Sequence, residues 1–315
     1  MILKKWITCL FCFYVVFVFS TATVAKDQAG SDIAFLNAGF GARAMGMGAA
    51  YTAMANDRHA NVWNPAGLLI GNSRELGSMQ TRLASDFNVF YLSGKYQLKK
   101  AGKAKHAFGF YWVNGALSDI PLVETEETVS ANEDIDATDY FSYQANALGL
   151  SYARWLKDTL AFGINVTGFY QNFSKIDNGK GGGITVSPGL MWFPDYRLAF
   201  GFMAKDIINE QRWATGTNQS AIPEFRLGFS YALTEVLLFS SEMRRKTHAS
   251  YYTTLHFGFE YDFYSVLKVR MGFDEDQLTA GTGIYVKWFE MNYAYSANIT
   301  DGLGDNHRVG LGISF

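Results

Sequence analysis

The chain has two cysteines, and both, Cys9 and Cys12, lie within its first 25 residues. With that stretch removed no thiol remains, which excludes disulfides, cysteine-held metals and thiol catalysis together. Proline is scarce, at five residues. No segment beyond the first 25 offers the roughly 18 consecutive apolar residues that a membrane helix needs. A basic excess is missing too. Of the 27 basic residues Lys4 and Lys5 fall in the leader, so 25 face 29 acidic ones, a net charge of −4. Nucleic-acid binding wants a basic face and is excluded. The five histidines, His59, His106, His248, His256 and His307, are scattered without a paired Ser or Asp motif, and His256 and His307 are expected on the polar faces of their strands. No nucleophile–base set is visible, so no catalytic residue, metal or other cofactor is expected and the chain reads as a non-enzyme.

The leader has its own grammar. Lys4 and Lys5 form a positive start, Ile7 to Phe19 an apolar stretch too short to span a bilayer, and Thr23-Val24-Ala25 a small-residue cleavage site before Lys26. Residues 1–25 are therefore expected to be a cleaved export signal. Cys12 sits inside the apolar stretch rather than at its end, which argues against a lipid-modified cysteine.

What the sequence does have is alternation. From Val309 to Phe315 the odd positions are apolar and the even ones are Gly or Ser, behind Arg308. Tyr251 to Phe263 alternates in the same way, as do Leu267 to Asp274 and Phe289 to Ser296. Period two means that one face of each strand meets something apolar and the other something polar. Aromatic residues make up 16% of the chain and glycine 31 positions. That composition, with near-zero mean hydropathy, suits a membrane β-barrel, in which half of each strand is polar or small.

Fourteen strands are expected, at about 75–83, 87–98, 105–115, 139–154, 158–172, 183–193, 196–205, 223–232, 234–245, 250–262, 264–274, 277–288, 289–297 and 306–315. In a soluble sandwich the apolar face would be core and the polar face solvent. Connection lengths separate the two cases. Short connections at Trp155–Lys157, Pro194–Asp195, Leu233, Phe263 and Phe289 alternate with longer ones at 116–138, 173–182, 206–222 and 298–305. Turns at one end and loops at the other is the outer-membrane pattern, with the turns periplasmic. Aromatics near strand ends, among them Tyr96, Trp112, Tyr140, Phe141, Tyr152, Trp155, Trp192, Phe193 and Trp288, fit interfacial girdles. The expected fold is an all-β transmembrane antiparallel barrel, residues 74–315, in contact with outer-membrane lipid. The loop from 116 to 139 carries eight carboxylates and no Lys or Arg; it reads as a solvated loop, with divalent cations or a basic partner as the alternatives.

Residues 26–73 fit no strand. Gly39-Phe40-Gly41-Ala42-Arg43-Ala44 matches a dinucleotide fingerprint formally, but no strand precedes it and no βαβ unit follows. Ala49–Ala55 reads as a short helix and Asn64-Pro65-Ala66-Gly67 as a turn. A barrel of about fourteen strands has a lumen too wide for its own side chains to fill. A small-residue segment leading into the first strand is the natural plug, and it argues against a wide general porin.

The run Gly41-Ala42-Arg43-Ala44-Met45-Gly46-Met47-Gly48-Ala49-Ala50-Tyr51, then Asn56-Asp57, then Trp63-Asn64-Pro65-Ala66-Gly67-Leu68, resembles the N-terminal signature of the PorV/PorQ family, a branch of the FadL-type outer-membrane transporters. Ala49 stands where that family usually shows a second glycine. The resemblance implies a fourteen-stranded barrel with an N-terminal hatch, its motif residues being Gly41, Arg43, Gly46, Gly48, Asp57, Trp63, Asn64, Pro65, Ala66 and Gly67. It implies two roles: a passive conduit for hydrophobic small molecules, or a component of type IX protein secretion that meets secreted proteins through its outer loops. Trp112, Phe173 and Trp213 are candidates for an apolar lumen, with lipid-facing packing as the alternative for each. Phe315, closing an aromatic-rich strand, resembles the signal read by barrel insertion machinery.

Overall fold

A computed structural model describes residues 33–83, 87–100, 102–122, 139–248, 251–297 and 305–315. The leader expected at 1–25 and most of the acidic stretch 116–139 lie outside the described residues. Alternation becomes strands almost wherever it occurs. They are β1 (Arg74–Leu83), β2 (Phe87–Lys100), β3 (Lys103–Leu122), β4 (Asp139–Lys157), β5 (Leu160–Phe173), β6 (Lys180–Asp195), β7 (Leu198–Lys205), β8 (Ile208–Trp213), β9 (Asn218–Gln219), β10 (Glu224–Ala232), β11 (Leu237–Lys246), β12 (Thr254–Phe263), β13 (Leu267–Asp274), β14 (Gln277–Val286), β15 (Phe289–Ala297) and β16 (Asn306–Ser314).

Every ladder is antiparallel, and the sheet closes on itself. β1 pairs with β16 from Glu75↔Ser314 to Arg82↔His307, and β5 pairs with β6. β8 continues the line of β7 along β6 after a break at Asp206, whose φ is +55°, while β9 covers part of the far side of β8. Counted around the ring, the wall has fourteen strands. The stretch 206–222 read as a loop thus contains the β8–β9 hairpin. Its polar residues, Asn209 to Arg212, lack the apolar alternation of a wall strand. β3 also runs further than expected, to Leu122, across an irregularity between Leu117 and Ile120.

The burial pattern decides between sandwich and membrane barrel. On β12, Leu255, Phe257, Phe259 and Tyr261 are exposed while His256 and Glu260 are buried. On β13 Val269, Met271 and Phe273 face out and Arg270 faces in; on β16 Val309 and Leu311 face out and Arg308 faces in. Charged groups inside and bare apolar side chains outside is the reverse of a water-soluble core, and it is stable only when the surroundings are lipid. The connections between β2 and β3, β4 and β5, β6 and β7, β10 and β11, β12 and β13, and β14 and β15 are short and share one end with Phe315 and Arg74, where Phe315 N donates to Arg74 O. At the opposite end the two-residue β13–β14 connection, Glu275-Asp276, departs from the expected long loops.

Three aromatic or His assignments change. Trp155 and Phe193, expected in a lipid girdle, pair with each other 5.9 Å apart and pack on the buried core, because they share the parity of inward-facing Ala153 and Met191. His307 is on the outer face, bonded to Tyr293 Oη at 2.7 Å, rather than on the polar face. Parity along the strand, not residue type, sets the side.

Residues 33–70 lie within the ring and touch wall strands all the way round it. Four short helical turns, Ala34–Asn37, Ala42–Gly46, Ala60–Trp63 and Pro65–Leu69, are joined by tight turns. The helix expected at Ala49–Ala55 is absent; Ala49 adopts φ +59°, which no right-handed helix permits. The wall meets this segment with glycine. A β-carbon added at Gly163 would overlap Ala66, one at Gly201 would overlap Thr52, and one at Gly258 would overlap Met47. Small residues on both surfaces let backbone approach backbone, which accounts for the glycine and alanine density of both.

Candidate functional site: the lumen segment and two cavities

The residues expected to form a hatch motif all fall in the lumen segment, where each packs or bonds closely. Gly41 (φ +90°) donates its N–H to Met79 Sδ at 3.2 Å and lies under the His59 ring. Gly46 packs against Gly281, where a β-carbon would come within 3.1 Å of the glycine Cα. Gly48 (φ +62°) is wedged between β12 and β13 and donates to Thr279 Oγ1 at 3.0 Å. Gly67 lies against Ala55 O with no room for a side chain.

Asn64 stitches the segment to itself and to the wall. Its Nδ2 donates to Thr52 O (2.9 Å) and Leu190 O (3.0 Å), while Oδ1 accepts from Ala66 N (3.2 Å). Pro65 then opens the turn Pro65–Leu69, where a missing N–H costs nothing. Ala66 is fully buried against β5. Trp63 donates Nε1 to Phe40 O at 2.7 Å, and the guanidinium carbons of Arg226 and Arg244 stand 5.3 and 5.2 Å from its ring centroid. Cations so placed are attracted by the ring face.

Charge holds the segment at the short-turn end. Arg43 donates Nε and Nη2 to the two carboxylate oxygens of Glu260 (2.9 and 2.8 Å) and Nη1 to Asn56 Oδ1 (2.7 Å). Glu260 also accepts from Arg270 Nε at 2.7 Å. Asp57 accepts from Tyr51 Oη (2.6 Å) and from His59 N (2.9 Å). Sequence reasoning did not single out Arg58, which is 1% exposed and pairs with Glu290 (2.5 Å) and Glu75 (3.7 Å). Lys95 completes this group, pairing with Glu75 at 3.3 Å and donating to Asn56 O and Ile70 O. Alternation over Tyr251–Phe263 put Glu260 on the polar face of its strand but carried no information on its partners, and Glu75 and Lys95 were not singled out. His59 is buried beside Tyr91, its ring 5.6 Å away; burial pushes the imidazole down to about 3, with Asp57 pulling the other way and Arg58 and Arg43 adding to the fall.

Two cavities flank the segment. One of about 880 Å³ opens toward the long-connection end. Its wall is divided: Leu36, Phe40, Val62, Leu83 and Met203 on the apolar part, and Lys205, Glu224, Arg226, Arg244 and Asp274 on the charged part. The other, about 740 Å³, sits at the short-turn mouth and is lined by Arg43, Asp57, Glu75, Lys268, Glu290 and Phe315, among others. Of the three aromatics considered for an apolar lumen, Trp112 faces outward, 38% exposed, and Phe173 and Trp213 stack on each other 6.1 Å apart without lining either cavity. Leu36, Phe40 and Val62 of the apolar lining come instead from the lumen segment, whose fold no strand periodicity encodes, and Leu83 and Met203 come from the wall.

No family model matches the chain, and no curated protein does. Solved structures do. The Ralstonia pickettii toluene transporter TbuX superposes with a TM-score of 0.62 at 13% identity, covering 88% of this chain and 98% of that one. The P. putida toluene transporter TodX gives 0.67 at 12% identity, with 88% and 99% covered. A Pseudomonas aeruginosa FadL homologue gives 0.53 at 10% identity, with 84% and 95% covered. At these identities the likeness establishes the fold alone, a closed antiparallel barrel.

Proposed function

We propose that the protein is an outer-membrane channel for small hydrophobic molecules, exported by way of residues 1–25 and closed at rest by residues 26–73. The observation that carries this reading is the pair of cavities, each at one mouth of the barrel, with the lumen segment between them. An apolar solute entering the larger cavity gains about 0.8 kcal/mol per CH₂ withdrawn from water, and its partly apolar wall supplies that environment. The likeness to toluene transporters supports the solute class. The signature across 41–68 supports a place in the PorV/PorQ branch. Short turns are then periplasmic and long connections extracellular, and Phe315 is the residue offered to the insertion machinery.

The test is conductance and uptake side by side. Deleting residues 26–67 is expected to leave a folded barrel that conducts ions far better than the intact protein in planar bilayers. The intact protein in vesicles is expected to speed entry of a monoaromatic hydrocarbon over empty vesicles. Unchanged conductance would overturn the plug. Absent uptake, together with co-purification of type IX secretion proteins from outer membranes, would replace the channel with the secretion role.

A further inference from the structure

We infer that the outer face of β2, β3 and β4, at the short-turn end, is a binding site for the phosphate headgroup of an anionic phospholipid. The site rests on the barrel lying in a bilayer with this end in a phospholipid leaflet, and not on what passes through the lumen.

Three hairpin strands bring the cations together. Lys100 and Lys103 are direct partners where β2 turns into β3, and Arg154 on β4 is the direct partner of His106 on β3. Lys157 closes the neighbouring β4–β5 turn opposite Leu160. Lys103 lies three residues before His106 and Lys157 three residues after Arg154, so both reach about 10 Å beyond that pair at 3.3 Å per residue. All four cations are exposed, and none has an ion pair among the described residues. Like charges directly opposite one another on a ladder repel, and an anion between or beside Lys100 and Lys103 relieves that repulsion.

What lies next to the cations identifies that anion. Moving from the tip toward the middle of the wall, the outer face passes from the three lysines to a rung of Leu98, His106 and Arg154 and then to Phe108 and Tyr152, with His106 Nδ1 bonding Tyr152 Oη at 2.7 Å. It then becomes apolar: Phe108 is 47% exposed and leans on Tyr152 at 5.4 Å, and Leu150, on the next outward-facing rung, is 60% exposed. Cations, then a polar aromatic pair, then bare hydrocarbon reproduce the profile of a phospholipid from phosphate to acyl chain. A soluble phosphate would use the first tier alone. The other short turns hold fewer cations: the β6–β7 turn has Arg197 and the β10–β11 turn none, whereas Asp158 is the one acid beside the four cations here, and Lys268 is paired with Asp262 at 3.2 Å.

Native mass spectrometry of the intact barrel from micelles doped with equal phosphatidylglycerol and phosphatidylethanolamine tests this. The wild type is expected to retain phosphatidylglycerol preferentially, and the variant K100Q/K103Q/R154Q/K157Q to retain it at least tenfold less, since each cation near an anionic surface is worth about a factor of five. Heat-modified gel mobility checks that the variant is folded, and R154Q alone, expected to lose part of the preference, covers the case in which it is not. Equal retention of the two lipids by wild type, or undiminished retention by a folded variant, overturns the site. Displacement of the lipid by soluble glycerophosphate at comparable concentration overturns the lipid assignment.

Discussion

Arg43 and Glu260, 217 positions apart, meet through two parallel hydrogen bonds of 2.9 and 2.8 Å in the barrel lumen. One belongs to the lumen segment and the other to β12. A guanidinium is a planar fork that matches a carboxylate edge, so the contact fixes both distance and orientation. Glu260 is shared with Arg270 on the next strand, which makes it the joint between wall and segment.

Replacing Glu260 by Gln would take the carboxylate from Arg270 and leave Arg43 with Asp57 alone, 3.6 Å away. Breaking a buried pair of this kind costs about 3–5 kcal/mol. The expected outcome for Glu260→Gln is a lower urea midpoint in vesicles together with more frequent opening in planar bilayers. A variant with both properties unchanged would show that the pair does not hold the segment.

The glycine bed gives a test with its own control. Gly201→Val places a side chain into Thr52, whereas Gly168→Val meets nothing within 4 Å on the outer face. Both variants are expected to assemble. Only Gly201→Val should raise ion conductance, because it pushes the lumen segment off the wall.

Ala49 sits at φ +59°, a left-handed conformation that costs an L-residue roughly 1–2 kcal/mol and glycine almost nothing. Ala49→Gly is expected to stabilise the protein by about 1 kcal/mol, read as a higher urea midpoint. This is the position at which the sequence departs from the family it resembles, so the substitution also restores that pattern.

His59 should remain neutral well below the pH at which an exposed histidine charges. Its folded pKa, about 3, lies under the ordinary 6.5, so the unfolded chain binds the proton first. Its contribution to stability is therefore complete above 6.5 and falls as pH drops from 6.5 toward 3. Proton NMR should find the His59 ring resonance flat across that window, and His59→Gln should shallow the loss of stability there.

Much of the wall was legible from the chain alone. Each of the fourteen expected strands overlaps a single observed one, because lipid outside and polar groups inside impose a period of two that few other folds sustain for so long. The motif Asn64-Pro65-Ala66 could be seen as special but not explained, since the carbonyl of Leu190 that Asn64 holds comes from a strand 126 residues away.

Alternation and connection length, both local, thus determined a closed antiparallel barrel and, over the regular stretches of its strands, which residues share a face. Tertiary structure alone decided who meets whom there. The Arg58–Glu290 and Arg43–Glu260 pairs, the clasp of Arg226 and Arg244 on Trp63, and the glycines beneath the lumen segment all join residues far apart in the chain. The physical reason is that periodicity fixes the direction of a side chain, whereas a partner is fixed only when the ring closes and the segment is laid inside it.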